Sequence, residues 1–157
     1  MVNMGYACIN THLSNCKPKV TTNRTMIKRT FTERGLPYAS ELALQNCQDL
    51  VKIIQWNHDN GFNFFRMSSD LIPWASEYEL SELPDYDAIK STLGEAGRLA
   101  SLYNMRITSH PGPFNVLTSP RPHVVDNCIK DLSIHGEVFD MMNLSRTPYN
   151  KINIHIG

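Results

Sequence analysis

Asp87–Pro113, DAIKSTLGEAGRLASLYNMRITSHPGP, is the stretch on which the fold turns. Ile89, Leu93, Ala96, Leu99 and Ala100 recur at three- and four-residue steps and mark one buried face of a helix. Asn104 ends that helix, and Met105–Ser109 follows as a short apolar strand. The strand stops at His110. Behind it, Pro111, Gly112 and Pro113 rule out regular structure, because proline fixes φ and removes a donor while glycine opens conformations closed to other residues. A shaped loop carrying a histidine at the carboxyl end of a strand is where a site is expected.

The same unit repeats in both directions. Val2–Ile9 reads as a buried strand, and Asn10–Tyr38 as a long polar and basic loop. From Ser40, a plausible N-cap, Cys47, Leu50, Val51 and Ile54 trace a helix of about five turns that stops at Gly61. Phe62–Met67, FNFFRM, is an aromatic strand, followed by a proline-punctuated loop as far as the second helix. Beyond the His110 loop, Val124, Val125, Cys128, Ile129, Leu132, Val138, Phe139 and Met142 give a third helix with a break expected near Gly136. KINIHIG, Lys151–Gly157, closes as a fourth strand.

The order βαβαβαβ implies right-handed crossovers and a parallel sheet, hence an α/β fold. Parallel sheets are covered on both faces or closed into barrels, yet here the last strand has no helix behind it. A complete (β/α)8 barrel takes about 250 residues. Residues 1–157 therefore read as one incomplete domain of TIM-barrel type, units 1–4 only, the N-terminal half of a barrel. Bare edges and an apolar inner face would favour self-association or pairing with a C-terminal half.

Fifteen basic and fifteen acidic residues leave a formal net charge of +0, so any nucleic-acid contact must use a local patch. Cys8, Cys16, Cys47 and Cys128 are scattered without CxxC pairing, which argues against a zinc knuckle or disulfide framework and for reduced thiols in an intracellular compartment. No apolar run is long enough to span a bilayer, and no secretory signal opens the chain, so the expectation is a soluble protein without a membrane partner.

Functional groups in parallel α/β folds gather beyond the carboxyl ends of the strands. That rule selects Tyr6 and Asn10 after the first strand, Ser68, Ser69, Asp70 and Glu77 after the second, His110 after the third and His155 on the fourth. Strands lie about 4.8 Å apart, so His110 and His155 can share a metal with a nearby carboxylate; a purely structural role for each is the plain alternative. Imidazole with carboxylate suits manganese, zinc or iron, and such ions activate water and steady phosphoryl oxygens. His12, His58, His123 and His135 fall in a loop or near helices and are left out of the site. Asn23 and Arg24, within TTNRT (21–25), carry groups used in phosphate contacts, although such a stretch is often only solvated loop. Tyr6, Trp74 and Phe114 are able to stack on bases or to belong to the core.

GYACIN (5–10), TTNRT (21–25), NHDNGFNFFRMSSDLIPWAS (57–76), TSHPGPFNVL (108–117) and INIHIG (152–157) occur in an order that resembles the ultraviolet damage endonuclease family over nearly the whole chain. The resemblance implies a TIM barrel with a cluster of divalent metal ions, manganese above all. It implies a nick in damaged double-stranded DNA immediately 5′ to cyclobutane dimers and other photoproducts, with no glycosylase step. It implies metal ligation by His110 and His155, contact of Tyr6 and Asn10 with the damaged nucleotides, and a lesion-probing role for Pro113 and Phe114. Glu77 stands where many relatives have a histidine ligand, and Pro113 where they commonly have glutamine; a proline ring offers no amide hydrogen bonds. The family's remaining ligands, among them carboxylates, histidines and a modifiable lysine, belong to strands five to eight. Two readings stand: a metal-dependent repair endonuclease whose C-terminal ligands are lacking here, leaving this chain weakly active or inactive, and a non-catalytic half-barrel stabilised by oligomerisation or a partner chain. An abasic-site endonuclease or sugar isomerase is a weaker third.

Overall fold

Alternation within FNFFRM sets the centre of the fold. In the computed structural model, which describes residues 3–113 and 115–154, Phe64–Met67 forms β2, the middle strand of a three-stranded sheet. β1 (Gly5–Ala7) and β3 (Arg106–Ser109) flank it, both parallel to it. Beyond β3 the chain returns: Ser109 N–H donates to Lys151 O at 3.1 Å, and Asn153 N–H donates to Ser109 O at 2.9 Å. The expected fourth strand thus begins beside β3 as a parallel bridge between Ser109 and Ile152. His155–Gly157 lie outside the described residues.

Successive strand side chains point to opposite faces. Phe65, Met67 and Ile107 are buried in the core shared with the helices, whereas Phe64, Arg66, Arg106 and Thr108 line the other face. That face mixes Phe64 and Ala7 with Arg66, Arg106 and Thr108, so it is not the uniformly apolar inner face expected.

The helical layer consists of α2 (Lys28–Asp59), α3 (Tyr86–Leu102) and α4 (Pro122–Met141), with a single turn, α1 (Thr11–Ser14), after β1. Ala39, Ala43, Cys47, Leu50 and Ile54 form the buried stripe of α2, and Ile89, Leu93, Ala96 and Ala100 that of α3. Each fully buried Leu or Ile is worth about 1.5–3 kcal/mol of transfer free energy. Gly97 permits the close approach of α3 to the end of α4, since a Cβ there would stand 1.8 Å from Met142 O.

Helical structure starts earlier than the apolar pattern shows. The expected loop over Asn10–Tyr38 contains α1 and the first turns of α2, from Lys28 to the kink at Gly35 (φ 62°, ψ −158°). Lys28–Arg34 is polar, so no periodic stripe reveals it; an Arg29–Glu33 pair one turn apart (2.8 Å) and the Phe31 ring stacked on Trp74 (centroids 5.3 Å apart) hold it. Ser40 is not an N-cap but lies inside α2, where its Oγ donates to Asp85 Oδ2 and accepts from Asp85 N–H, both at 2.8 Å. α4 runs through Gly136 without the expected break.

Candidate active site

The loops that leave β2 and β3 meet the N-terminal half of α4 around a cleft of about 470 Å³. Ser69, Asp70, Trp74 and Glu77 line one wall, Gly112, Pro113 and Asn115 another, and Asn127 and Asp131 the α4 side. The β2 loop is pinned from outside the cleft. Trp74, in the left-handed region at φ 58°, donates its indole N–H to Met26 O at 2.9 Å, and the Tyr78 hydroxyl donates to Pro73 O. Between these anchors Ala75–Glu77 forms a 3-10 turn that leaves Glu77 exposed at the cleft. Burial raises the Asp70 carboxyl above its ordinary pKa. Asn115 secures the opposite wall by donating to Asp131 Oδ2 at 2.6 Å and to Gly112 O at 3.2 Å.

Beneath the His110 loop lies a residue that the sequence reading set aside. His135 Nδ1 is 2.9 Å from Ser109 Oγ, and His135 Nε2 is 3.8 Å from Asp131 Oδ2. Burial lowers the pKa of His135, the Asp131 carboxylate opposes that shift, and His110 adds to it. The expectation that His135 stands away from the rim is corrected: its helical face, shared with Ile134 and Val138, packs against the end of β3. The Asp131/His135 spacing of one helical turn was the available signal.

The residues expected at the end of β1 are engaged in packing. The Tyr6 hydroxyl donates to Asn57 Oδ1 at 2.5 Å and accepts from Asn10 Nδ2 at 2.6 Å, while its ring meets Phe62 and Phe65 edge-on. Tyr6 thus points to the helix-covered side of the sheet and not to an open rim. Asn10 is buried and caps α1 by accepting from Leu13 N–H at 2.9 Å.

TTNRT is likewise held by α2. Arg24 pairs with buried Asp49 at 2.7 Å and donates to Thr21 O and Lys19 O at 2.6 and 2.8 Å. Its guanidinium is held by these partners within the protein. Asn23 Oδ1 accepts from the Thr21 hydroxyl. Asn46 clamps two loops at once: its Oδ1 accepts from Arg24 N–H at 3.0 Å, and its Nδ2 donates to Arg24 O (3.0 Å), Asp70 O (3.1 Å) and Leu71 O (3.2 Å). Isolated asparagines carry no periodic signature, so nothing in the sequence marks Asn46 and Asn57.

Of the expected metal ligands, Glu77 is at the cleft, His110 follows β3, and His155 lies outside the described residues, as does Phe114, expected to contact the lesion. Among the described residues no group of three His, Cys, Asp or Glu side chains comes together to hold a metal ion. This chain's described donors do not enclose an ion by themselves.

The profile of the UV-endonuclease UvdE family matches residues 2–157. The UV-damage endonuclease of Schizosaccharomyces pombe is 41% identical over 98% of this chain and 26% of its own length. The UV DNA damage endonuclease of Bacillus mycoides is 30% identical over 100% of this chain and 49% of its own. The crystal structure of SacUVDE superposes with a TM-score of 0.82 at 29% identity, covering 100% of this chain and 50% of that one. The chain spans between about a quarter and a half of the length of these relatives.

Proposed function

The chain belongs to the UV-endonuclease UvdE family, and on that premise we propose that it supplies the β1–α4 part of a barrel-type DNA repair endonuclease. The proposed reaction is metal-dependent hydrolysis of the phosphodiester on the 5′ side of ultraviolet photoproducts in duplex DNA. The observation that carries this reading is the cleft at the carboxyl ends of β2 and β3, which Asp70, Glu77 and Asp131 line from different walls beside the His110 loop. A phosphate backbone approaching such a carboxylate wall is repelled unless cations stand between them. Divalent ions in that position, with manganese the expected one, supply water activation and charge neutralisation.

His110, Glu77 and His155 are the proposed contributors from this chain to the metal site. Because its described donors do not enclose an ion, the remaining ligands are assigned to the part of the relatives that this chain does not span. Asn115 and His135 hold the β3 side of the cleft to α4, and Pro113 and Phe114 are the proposed contacts to the lesion. A proline at 113 leaves that contact to shape, with the Phe114 ring filling space beside distorted bases.

Nicking of irradiated supercoiled plasmid in manganese tests the reading. The chain alone is expected to be inactive or weak, and to nick when co-expressed with the remaining half of the Bacillus mycoides relative. The second reading, a non-catalytic half-barrel, is favoured by the incomplete donor set. It wins if the reconstituted assembly is compact and binds manganese but leaves irradiated plasmid intact.

A further inference from the structure

One turn of α4 grips the His110 loop at both of its ends. At the near end the Ser109 hydroxyl meets His135 Nδ1 at 2.9 Å, while the Ser109 backbone is held in the sheet through Lys151 and Asn153. At the far end the buried Asn115 amide donates to Asp131 Oδ2 at 2.6 Å and to Gly112 O at 3.2 Å, and the Asn115 backbone N–H donates to the same Gly112 O at 3.2 Å. Both hydrogens of the amide are thereby engaged. Asp131 and His135 stand four positions apart, and the Asp131 oxygen that takes the Asn115 amide is 3.8 Å from His135 Nε2. Between the two anchors Pro111 and Pro113 have fixed φ. The course of the loop is therefore set by where α4 places its ends, and Pro113, on the cleft wall, inherits its position from Asp131.

We propose that Asp131, acting through Asn115, is a specificity-determining positioning residue: it holds the Gly112–Asn115 turn, and Pro113 with it, at the height where a distorted duplex is told from an intact one. This rests on the repair-endonuclease function proposed for the chain. A damaged base leaves the stack at lower cost than a sound one, and only an element already standing at the distorted step reads that difference. A turn free to move follows the shape of either duplex and pays the cost of ordering on both. Loosening it therefore removes discrimination and not general affinity. A carboxylate suits the task because a charge-assisted hydrogen bond to the amide is shorter and stiffer than a neutral one. The alternative, a carboxylate that serves by its charge alone, makes a different prediction: the negative charge at 131 would then matter and the acceptor for Asn115 would not.

The test measures competition between an ultraviolet-irradiated duplex and the same duplex intact for binding to the chain, together with hydrogen exchange at the Asn115 backbone amide. Asp131→Ala should lower the ratio of the two affinities at least fivefold without weakening binding to the intact duplex, and should speed exchange at Asn115 at least tenfold. Asp131→Asn keeps an acceptor for the Asn115 amide and should recover most of the ratio. Asn115→Asp, which sets two carboxylates against each other, should lose it, and combining Asn115→Asp with Asp131→Asn should restore at least half. These last two changes are isosteric, so the comparison stands even where urea melts show an alanine variant to be unfolded. An unchanged ratio in Asn115→Asp, no recovery in the combined variant, or an Asp131→Asn chain as indiscriminate as Asp131→Ala would overturn the proposal. A parent chain that binds both duplexes alike would remove the repair function and this proposal together, whereas loss of the proposal alone leaves the parent's preference intact.

Discussion

His135 on α4 lies 2.9 Å from the Ser109 hydroxyl, so the last residue of β3 is fixed by a helix some 26 positions further on, directly before His110. A side chain outside the cleft therefore sets the direction in which the His110 loop departs. His135→Ala should cost about 1–2 kcal/mol by leaving the Ser109 hydroxyl without its partner. In the reconstituted assembly it should weaken manganese binding several-fold while leaving the overall fold intact. Urea melts and elemental analysis check both, and an unchanged manganese affinity would reduce His135 to ordinary core packing.

Arg24 should prove to be a structural residue. Asp49→Ala removes the carboxylate that takes Arg24, Lys52 and the Thr21 N–H, and should destabilise the chain by about 2–3 kcal/mol, since Arg24 remains partly solvated. Arg24→Ala should lower the melting temperature without altering the salt dependence of DNA binding. A change in that slope would return Arg24 to the phosphate contacts.

Glu77 stands exposed on a turn that Trp74 and Tyr78 hold from behind. Glu77→Ala should leave stability within about 0.5 kcal/mol, as for other surface changes, but should reduce bound manganese in the reconstituted assembly. Glu77→His should shift the metal preference toward zinc. Competition between the two ions, followed by elemental analysis, reads this directly.

Burial raises the Tyr78 phenol above its ordinary value of 10.0. In the unfolded chain it ionises near 10, and in the folded chain it stays neutral. Its contribution is therefore complete below pH 10 and is lost as the pH rises past that point. Urea midpoints at pH 9 and 10.5 should fall less in Tyr78→Phe than in the parent chain.

Thiol chemistry should separate the cysteines. Cys47 is buried, which pushes its thiol up to about 12, and Cys128 is buried too, whereas Cys16 is exposed. Reagents that need the thiolate should label Cys16 in the native chain and reach Cys47 only on unfolding. Rapid native labelling of Cys47, seen by mass spectrometry, would contradict the packing of α2.

The alternation of strands and helices was legible because each element advertises its buried face. The FNFFRM run announces β2, and Leu93 and Ala96 announce α3, where they occupy the predicted buried side. Lys28–Arg34 was not legible, since a polar helix docked through a single aromatic residue leaves no stripe. The candidate site divides in the same way. Proline and glycine around His110 mark a shaped loop, and Glu77 follows from its place after β2. For Tyr6 and Arg24 the sequence leaves the partner open, because an aromatic ring or a guanidinium looks alike in sequence whether it meets DNA, Asn57 or Asp49. Their partners lie 51 and 25 residues away, and only the folded chain brings them into contact.

The Asn46 amide ties Arg24 to the backbone of Asp70 and Leu71, so the loops after β1 and β2 are mechanically one part. A graft that imports only one of them from another barrel would pull the amide in two registers and misplace the Asp70 wall, even with every cleft residue retained. Exchange of lesion preference between such proteins should therefore succeed when residues 21–25 and 68–77 travel together with Asn46, and fail when they travel separately.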